Sequence, residues 1–213
     1  MEKISQIIDK LKTRHNANKE ELLFLLNNIN KENINELKLA ADAVRKEKYG
    51  KKVFSRGLLE FSNYCKRNCV YCGLRKDNKK ANRYRLNYDE IFESCEKGYS
   101  LGYRTFVLQG GEDPYFTDDK IVYIVKSLKE KFPDAAITLS IGEKSKSSYK
   151  KYFEAGADRY LLRHETADKE LYNKLHPKMK FKTRARCLKN LKEIGYQVGA
   201  GFMVGIPGQE NKH

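Results

Sequence analysis

The sequence predicts an α/β domain on a parallel, barrel-like sheet, preceded by an N-terminal helical segment. Three observations predict it. From residue 53 onward, short apolar strand-like runs alternate with stretches of helical period, the order that produces parallel strands joined by crossover helices. Polar or glycine-rich segments follow each of five strand-like runs, and in such folds reactive groups gather at the carboxyl ends of strands. The first fifty residues, by contrast, carry helical periodicity throughout. The expected division is therefore a helical segment over 1–50 and a core of about five βα units over 51–213.

In chain order, Ile4, Ile7, Ile8 and Leu11 share one helical face, and Leu22, Leu23, Leu26 and Ile29 share another. Asn18, ahead of Glu20 and Glu21, is placed to cap the second helix, and Asn33 to cap a third that runs through Leu37, Ala40, Ala41 and Val44. Strands are expected at 58–61, 105–109, 136–141, 158–162 and 197–204, with helices at 88–99, 117–132, 146–155, 169–175 and 183–194. Gly102, Gly156 and Gly195 mark helix ends. Behind the five strands come a cysteine loop, Gly110-Gly111-Glu112, the segment from Ser140 to Glu143, Arg163-His164-Glu165, and Gly205-Ile206-Pro207-Gly208.

Cys65, Cys69 and Cys72 are the most informative residues. Three thiolates within eight residues of one short loop can wrap a single metal cluster. Structural zinc is closed by four ligands, and no fourth cysteine follows at finger-like spacing, so zinc fits poorly. A cubane iron–sulfur cluster is usually held by four cysteines; three leave one iron open to a small-molecule ligand, a site suited to chemistry. Cys95 and Cys187 stand alone and read as buried thiols. Five cysteines, an odd number, with no signal peptide and a lysine-rich make-up, argue against a disulfide framework and for the cytoplasm.

Composition narrows the classes further. Hydrophobic residues make up 40% of the 213 and charged residues 33%, which describes a globular protein long enough for a core. No apolar run approaches the ~20 residues that span a bilayer. The net charge of +15 invites a nucleic-acid reading. Against it, the charge is 31 Lys to 12 Arg, spread among 28 acidic residues. The one local basic cluster, residues 76–85, reads as a solvated loop beside the metal site.

The spacing Cys-x3-Cys-x-aromatic-Cys, with Tyr71 in the aromatic slot, is similar to the signature of the radical S-adenosylmethionine (radical SAM) enzymes. The resemblance implies a partial TIM-type (βα) barrel and a 4Fe–4S cluster on Cys65, Cys69 and Cys72, whose open iron is chelated by S-adenosylmethionine. Tyr71 would then border the cofactor. Gly110 and Gly111 lack Cβ atoms, so backbone can approach a ligand closely; with Glu112, an acceptor for an ammonium, they would hold the methionine amino group. A plain loop is the alternative. Glu165, with two carboxylate oxygens, is assigned to the ribose hydroxyls, against a salt-bridged turn. Of Arg184 and Arg186, which begin the last helix, Arg184 is favoured for a forked pair with the methionine carboxylate, against a helix-surface arginine. Gly205, Ile206 and Pro207 would lie along the adenine. His164 reads as a packing or hydrogen-bonding residue. No residue is assigned a catalytic role of its own, since the cofactor supplies the reactivity.

Longer runs resemble one branch, the radical SAM maturase of FeFe hydrogenase, HydE type. They are Cys-Val-Tyr-Cys-Gly-Leu-Arg75, Val107-Leu-Gln-Gly-Gly-Glu-Asp-Pro-Tyr115, Leu139-Ser-Ile-Gly-Glu143, Ala155-Gly-Ala-Asp-Arg-Tyr-Leu-Leu-Arg-His-Glu-Thr-Ala167 and Gly199-Ala-Gly-Phe-Met-Val-Gly-Ile-Pro-Gly-Gln209. This implies a 5′-deoxyadenosyl radical that acts on a small-molecule or iron-complex substrate during assembly of the hydrogenase di-iron site. It also implies a reductant protein such as ferredoxin or flavodoxin, and other hydrogenase maturation proteins as partners. Biotin synthase-like and methylornithine synthase-like enzymes share the core and stay open. A non-catalytic metal-cluster or nucleic-acid-binding module is the alternative of another class. Members of the family complete eight βα units, whereas this sequence stops after the fifth strand, as a fragment would.

Overall fold

A computed structural model of the protein describes residues 2–213. It contains two compact units, one comprising the chain up to Phe54 with Gly208–His213, the other Ser55–Pro207.

The first unit holds three helices, α1 (Glu2–Arg14), α2 (Lys19–Asn28) and α3 (Ile34–Tyr49). Its core is Ile4, Ile7 and Ile8 of α1 with Leu25 of α2, flanked by Leu11, Phe24, Ile29, Leu37 and Ala40. The face expected for α2 is turned: Leu22 and Leu26 are exposed, and Leu25 is buried. A ten-residue helix with leucines on several sides offers two stripes, and the packing partner selects between them. Asn18 caps α2 in a reciprocal box with Glu21. Asn33 does not cap α3. Its backbone is already helical, and its Oδ1 accepts from Asn30 N at 2.8 Å inside the preceding turn.

The second unit is a five-stranded, all-parallel sheet in the order β1-β2-β3-β4-β5. The strands are β1 (Gly57–Ser62), β2 (Thr105–Gly110), β3 (Ala136–Ser140), β4 (Arg159–Leu161) and β5 (Gln197–Gly199). Between them run α4 (Tyr88–Ser100), α5 (Asp118–Lys131), α6 (Lys146–Glu154), α7 (Lys169–Leu175) and α8 (Phe181–Ile194). Each strand pairs with its neighbour in sequence, as in a βα barrel, but β1 and β5 are not joined. The core lies between sheet and helices. Leu108, Ile137, Leu139 and Tyr160 meet Ile121, Ile124, Leu128, Tyr152 and Leu191, all fully buried. Near-continuous apolar strands are what a parallel sheet requires.

Two departures from regularity shape the site. A register shift between Glu60 and Ser62 ends the β1–β2 ladder where the cysteine loop begins. The fifth strand is shorter than the 197–204 run expected. Glycines at 199 and 201 give the strand little to pack, and beyond Gly199 pairing continues only as N–H bonds from His164 and Glu165 to the Gly201 carbonyl and one bridge, Glu165 to Phe202.

Candidate metal centre and cofactor site

The loop leaving β1 is built to be held. Arg83 donates to the carbonyls of Asn63, Leu74, Arg75 and Asn78, a fork closing both ends of the loop. Arg85 pairs with Asp113 at 2.7 Å and 3.0 Å and covers the ring of Tyr64 at 3.8 Å. Burial opposes the charge on Asp113, yet Arg85 and Ser62 beside it hold its carboxyl below the usual range. The basic stretch 76–85 is thus only partly a solvated loop. Its arginines clamp the cysteine segment, and Lys76, Lys79 and Lys80 remain exposed without ion-pair partners among the described residues.

All three loop cysteines are free and half-buried. Cys65 Sγ accepts backbone N–H groups from Arg67 and Glu112, both at 3.4 Å, donors that suit a charged, ligated thiolate. Burial raises the Cys69 thiol, whose Sγ lies 4.0 Å from Met179 Sδ. Gly111 makes the arrangement possible: a Cβ there would stand 2.1 Å from Tyr64 O and 2.7 Å from Cys65 Cβ. Among the described residues no three acidic, histidine or cysteine side chains converge on one point as for a single ion. A cubane presents a separate iron to each thiolate, so a three-thiol loop with N–H donors fits a cluster without such convergence.

Above the sheet runs a buried ionic chain that pattern reading missed in part. Glu112 accepts from Arg67 Nε at 2.6 Å and from Glu143 N at 3.1 Å. Arg67 continues to Glu143 at 3.1 Å, and Glu143 to Arg184 Nε at 2.9 Å. Arg184 also donates to the Arg163 carbonyl at 2.8 Å. Gly142 permits the close stacking of these loops, since with φ of +78° a Cβ would meet Glu112 Cγ at 2.2 Å. Arg184 is no helix-surface arginine; it is buried. Burial opposes its charge, but Tyr172 and Glu143 keep its guanidinium above the ordinary value. The Glu112 carboxylate is likewise engaged within the protein rather than free. Arg67 occupies a position the cysteine spacing leaves undefined. Glu143 ends the segment from Ser140, and its place at a strand end was the available signal.

Glu165 differs from these carboxylates. It is 8% exposed and sits at φ of +63°, a conformation that costs energy outside glycine and clusters at functional sites. Its backbone is fixed from both sides by the Gly201 carbonyl and Met203 N–H. Its carboxylate has no hydrogen bond or ion pair within the described residues. One buried polar atom nearby in sequence, His164 Nδ1, also has no partner; such an orphan marks a place where a polar ligand fits. Gly205 adopts φ of +85°, Ile206 packs with Leu171 and Leu175, and Pro207 is exposed.

Tyr71 reaches the end of α7, its hydroxyl 3.0 Å from His176 Nε2. Gly110 closes β2, where a Cβ would press at 3.3 Å on Ser62 O. Cys95 and Cys187 lie buried away from this loop; burial pushes the Cys95 thiol up to about 12.

Comparison with known proteins follows the same lines. The family model for the radical SAM superfamily matches residues 59–213. The chain is 48% identical over 205 residues to the [FeFe] hydrogenase maturase subunit HydE of Thermotoga maritima, covering 96% of this chain and 58% of that protein. Among solved structures it is similar to methylornithine synthase (PylB), with TM-score 0.86, 33% identity and coverage of 94% and 59%. It is also similar to HydG, a maturase of the [FeFe]-hydrogenase, with TM-score 0.85, 26% identity and coverage of 96% and 47%. The chain spans about half to three-fifths of the length of these relatives.

Proposed function

The chain belongs to the radical SAM superfamily, and from that premise we propose that it is an enzyme core for hydrogenase maturation. It binds a 4Fe–4S cluster on Cys65, Cys69 and Cys72 together with S-adenosylmethionine, in service of FeFe-hydrogenase di-iron site assembly. The observation that carries the reading is the three-cysteine loop seated against Gly111 at the carboxyl end of the sheet, in a chain 48% identical to a HydE maturase. When bound, the cluster and S-adenosylmethionine supply one-electron cleavage of the sulfonium and a 5′-deoxyadenosyl radical.

The protein's residues hold and orient. Gly110, Gly111 and Glu112 border the methionine amino group by close backbone approach. Arg184, whose Nε and one terminal nitrogen donate to Glu143 and Arg163, takes the methionine carboxylate. Glu165 accepts from the ribose hydroxyls. Gly205, Ile206 and Pro207 line the adenine, and Tyr71 borders the cofactor. Lys76 and Lys79 line, together with Cys65, a cleft of about 280 Å³. Their unneutralised charge suits a small acidic reductant protein of the ferredoxin or flavodoxin kind. Other maturation proteins are the further partners. Among the described residues no helix is long and apolar enough to cross a membrane; all five cysteines are free, and a reducing cytoplasm keeps cluster ligands in that state.

The test is anaerobic incubation of reconstituted protein with S-adenosylmethionine and dithionite, followed by chromatography for 5′-deoxyadenosine. Product from wild type and none from Cys72→Ala supports the reading; none from either contradicts it. The likeness to methylornithine synthase favours a second reading, a 3-methylornithine-forming enzyme. Complementation of cells lacking either activity separates the two.

A further inference from the structure

The cysteine loop rests on the far end of α7 through three consecutive residues. Cys69 Sγ lies 4.0 Å from Met179 Sδ, Val70 N donates to Leu175 O at 3.0 Å, and the Tyr71 hydroxyl meets His176 Nε2 at 3.0 Å. The platform is itself rigid. His176 is 1% exposed and stacks on Tyr172 with ring centroids 4.1 Å apart. Leu171, Tyr172 and Leu175 bury the helix. Tyr172 in turn meets Phe181 edge-on at 5.4 Å, at the start of α8, which carries Arg184.

Chemistry fixes the direction of the hydrogen bond. His176 Nδ1 stands 3.0 Å from the Tyr172 carbonyl, which can only accept, so Nδ1 carries the proton. In a neutral ring Nε2 is then a lone-pair acceptor, and Tyr71 must donate. The ring is kept neutral by its burial, with Arg184 nearby adding to the effect, which pushes it down to about 4. Both nitrogens are therefore engaged, and His176 is not available as a fourth metal ligand.

We infer that His176 is a positioning residue for the cysteine loop, its Nε2 holding the Tyr71 hydroxyl so that the 69–72 segment is registered against α7 and, through Tyr172 and Phe181, against Arg184. This rests on the reading of Cys65, Cys69 and Cys72 as cluster ligands. The lever is one part-buried hydrogen bond adjoining two ligands, on a loop otherwise fixed at its ends by Arg83.

Four variants test it: Tyr71→Phe removes the donor, His176→Phe keeps an aromatic ring but removes the acceptor and the bond to the Tyr172 carbonyl, His176→Gln restores an acceptor, and the double Tyr71→Phe/His176→Phe closes a cycle. Each is reconstituted anaerobically, and three quantities are read: iron content, the rate of iron release to a ferrous chelator, and the electron paramagnetic resonance line shape of the reduced cluster. The melting temperature of the metal-free chain is read alongside. Each phenylalanine variant is expected to release iron roughly five- to tenfold faster with an altered line shape, on the scale of one hydrogen bond. The double variant should be no faster than either, and His176→Gln should recover part of the loss. Release at the wild-type rate, additive effects in the double, or a lowered melting temperature with an unchanged line shape would each overturn the inference. Wild-type protein that takes up no iron would instead overturn the cluster reading beneath it.

Discussion

Glu143 binds two arginines at once, Oε1 taking Arg184 Nε at 2.9 Å and Oε2 taking Arg67 at 3.1 Å. One carboxylate at the end of β3 thereby joins the cysteine loop to α8. With Glu112 on the far side of Arg67, the four groups form a charge-balanced chain through the carboxyl end of the sheet. Two positive and two negative groups taken together tolerate burial that none would tolerate alone.

Removing the Glu143 charge leaves the buried Arg184 without a carboxylate and the half-buried Arg67 with Glu112 alone. Glu143→Gln is expected to cost about 3–5 kcal/mol of stability, the scale for breaking a buried pair, and to lower the melting temperature by roughly 10 °C in a chain of this size. Thermal unfolding followed by circular dichroism measures it. A shift within ~1 °C would mean that the chain of charges does not hold the loops together.

Glu165 should behave oppositely. Its carboxylate makes no hydrogen bond or ion pair among the described residues, so Glu165→Gln should leave the melting temperature nearly unchanged. S-adenosylmethionine affinity should fall about tenfold, the worth of one charge-assisted hydrogen bond. Calorimetric titration of reconstituted protein reads the affinity. Normal binding, or an unfolded variant, would assign Glu165 to the fold.

The contrast between these two glutamates shows what the sequence could and could not display. Strand and helix alternation placed every element of the second unit to within about two residues except the end of β5, because parallel strands need apolar runs and crossover helices need an apolar face. The cysteine spacing, Gly110-Gly111-Glu112 and Glu165 were visible as motifs at strand ends. Arg67 and Glu143 were not assigned to the site, since ion pairs between loops 76 residues apart in sequence leave no local pattern. His176 was hidden for the same reason. Its meaning depends on Tyr71, 105 residues away, and on a carbonyl one helical turn back. The short β5 and the idle Asn33 show local propensity overruled, in one case by glycines at a sheet edge and in the other by a turn that claimed the side chain.

Acid should expose the cost of keeping His176 neutral. Its folded-state value is pushed down to about 4 from 6.5, so between these limits the unfolded chain binds a proton the folded chain refuses. Its contribution is complete above pH 6.5, falls as pH drops towards 4, and changes no further below. The slope is at most about 1.4 kcal/mol per pH unit. Urea unfolding of wild type and His176→Phe across pH 4–7 measures the difference. Parallel stability curves would show that His176 titrates normally in the fold.

Charge beside the cluster loop should govern reduction by a protein donor. Reversing Lys76, Lys79 and Lys80 to Glu is expected to slow reduction by an acidic flavodoxin tenfold or more at low salt, with the gap closing as salt rises. Iron content and reduction by dithionite should stay at wild-type levels. Stopped-flow absorbance compares the two reductants. Equal slowing with both would place the effect on the cluster rather than on docking.

In the proposed function a cluster held by three thiols of one loop leaves an iron open for S-adenosylmethionine. The direct measurement is iron analysis of anaerobically reconstituted wild type and Cys69→Ala, with electron paramagnetic resonance spectra of the reduced proteins before and after S-adenosylmethionine is added. Wild type should carry about four irons per chain and show a changed spectrum with S-adenosylmethionine, while Cys69→Ala should carry little iron and show neither signal. Full iron loading in Cys69→Ala, or a wild-type spectrum indifferent to S-adenosylmethionine, would contradict it.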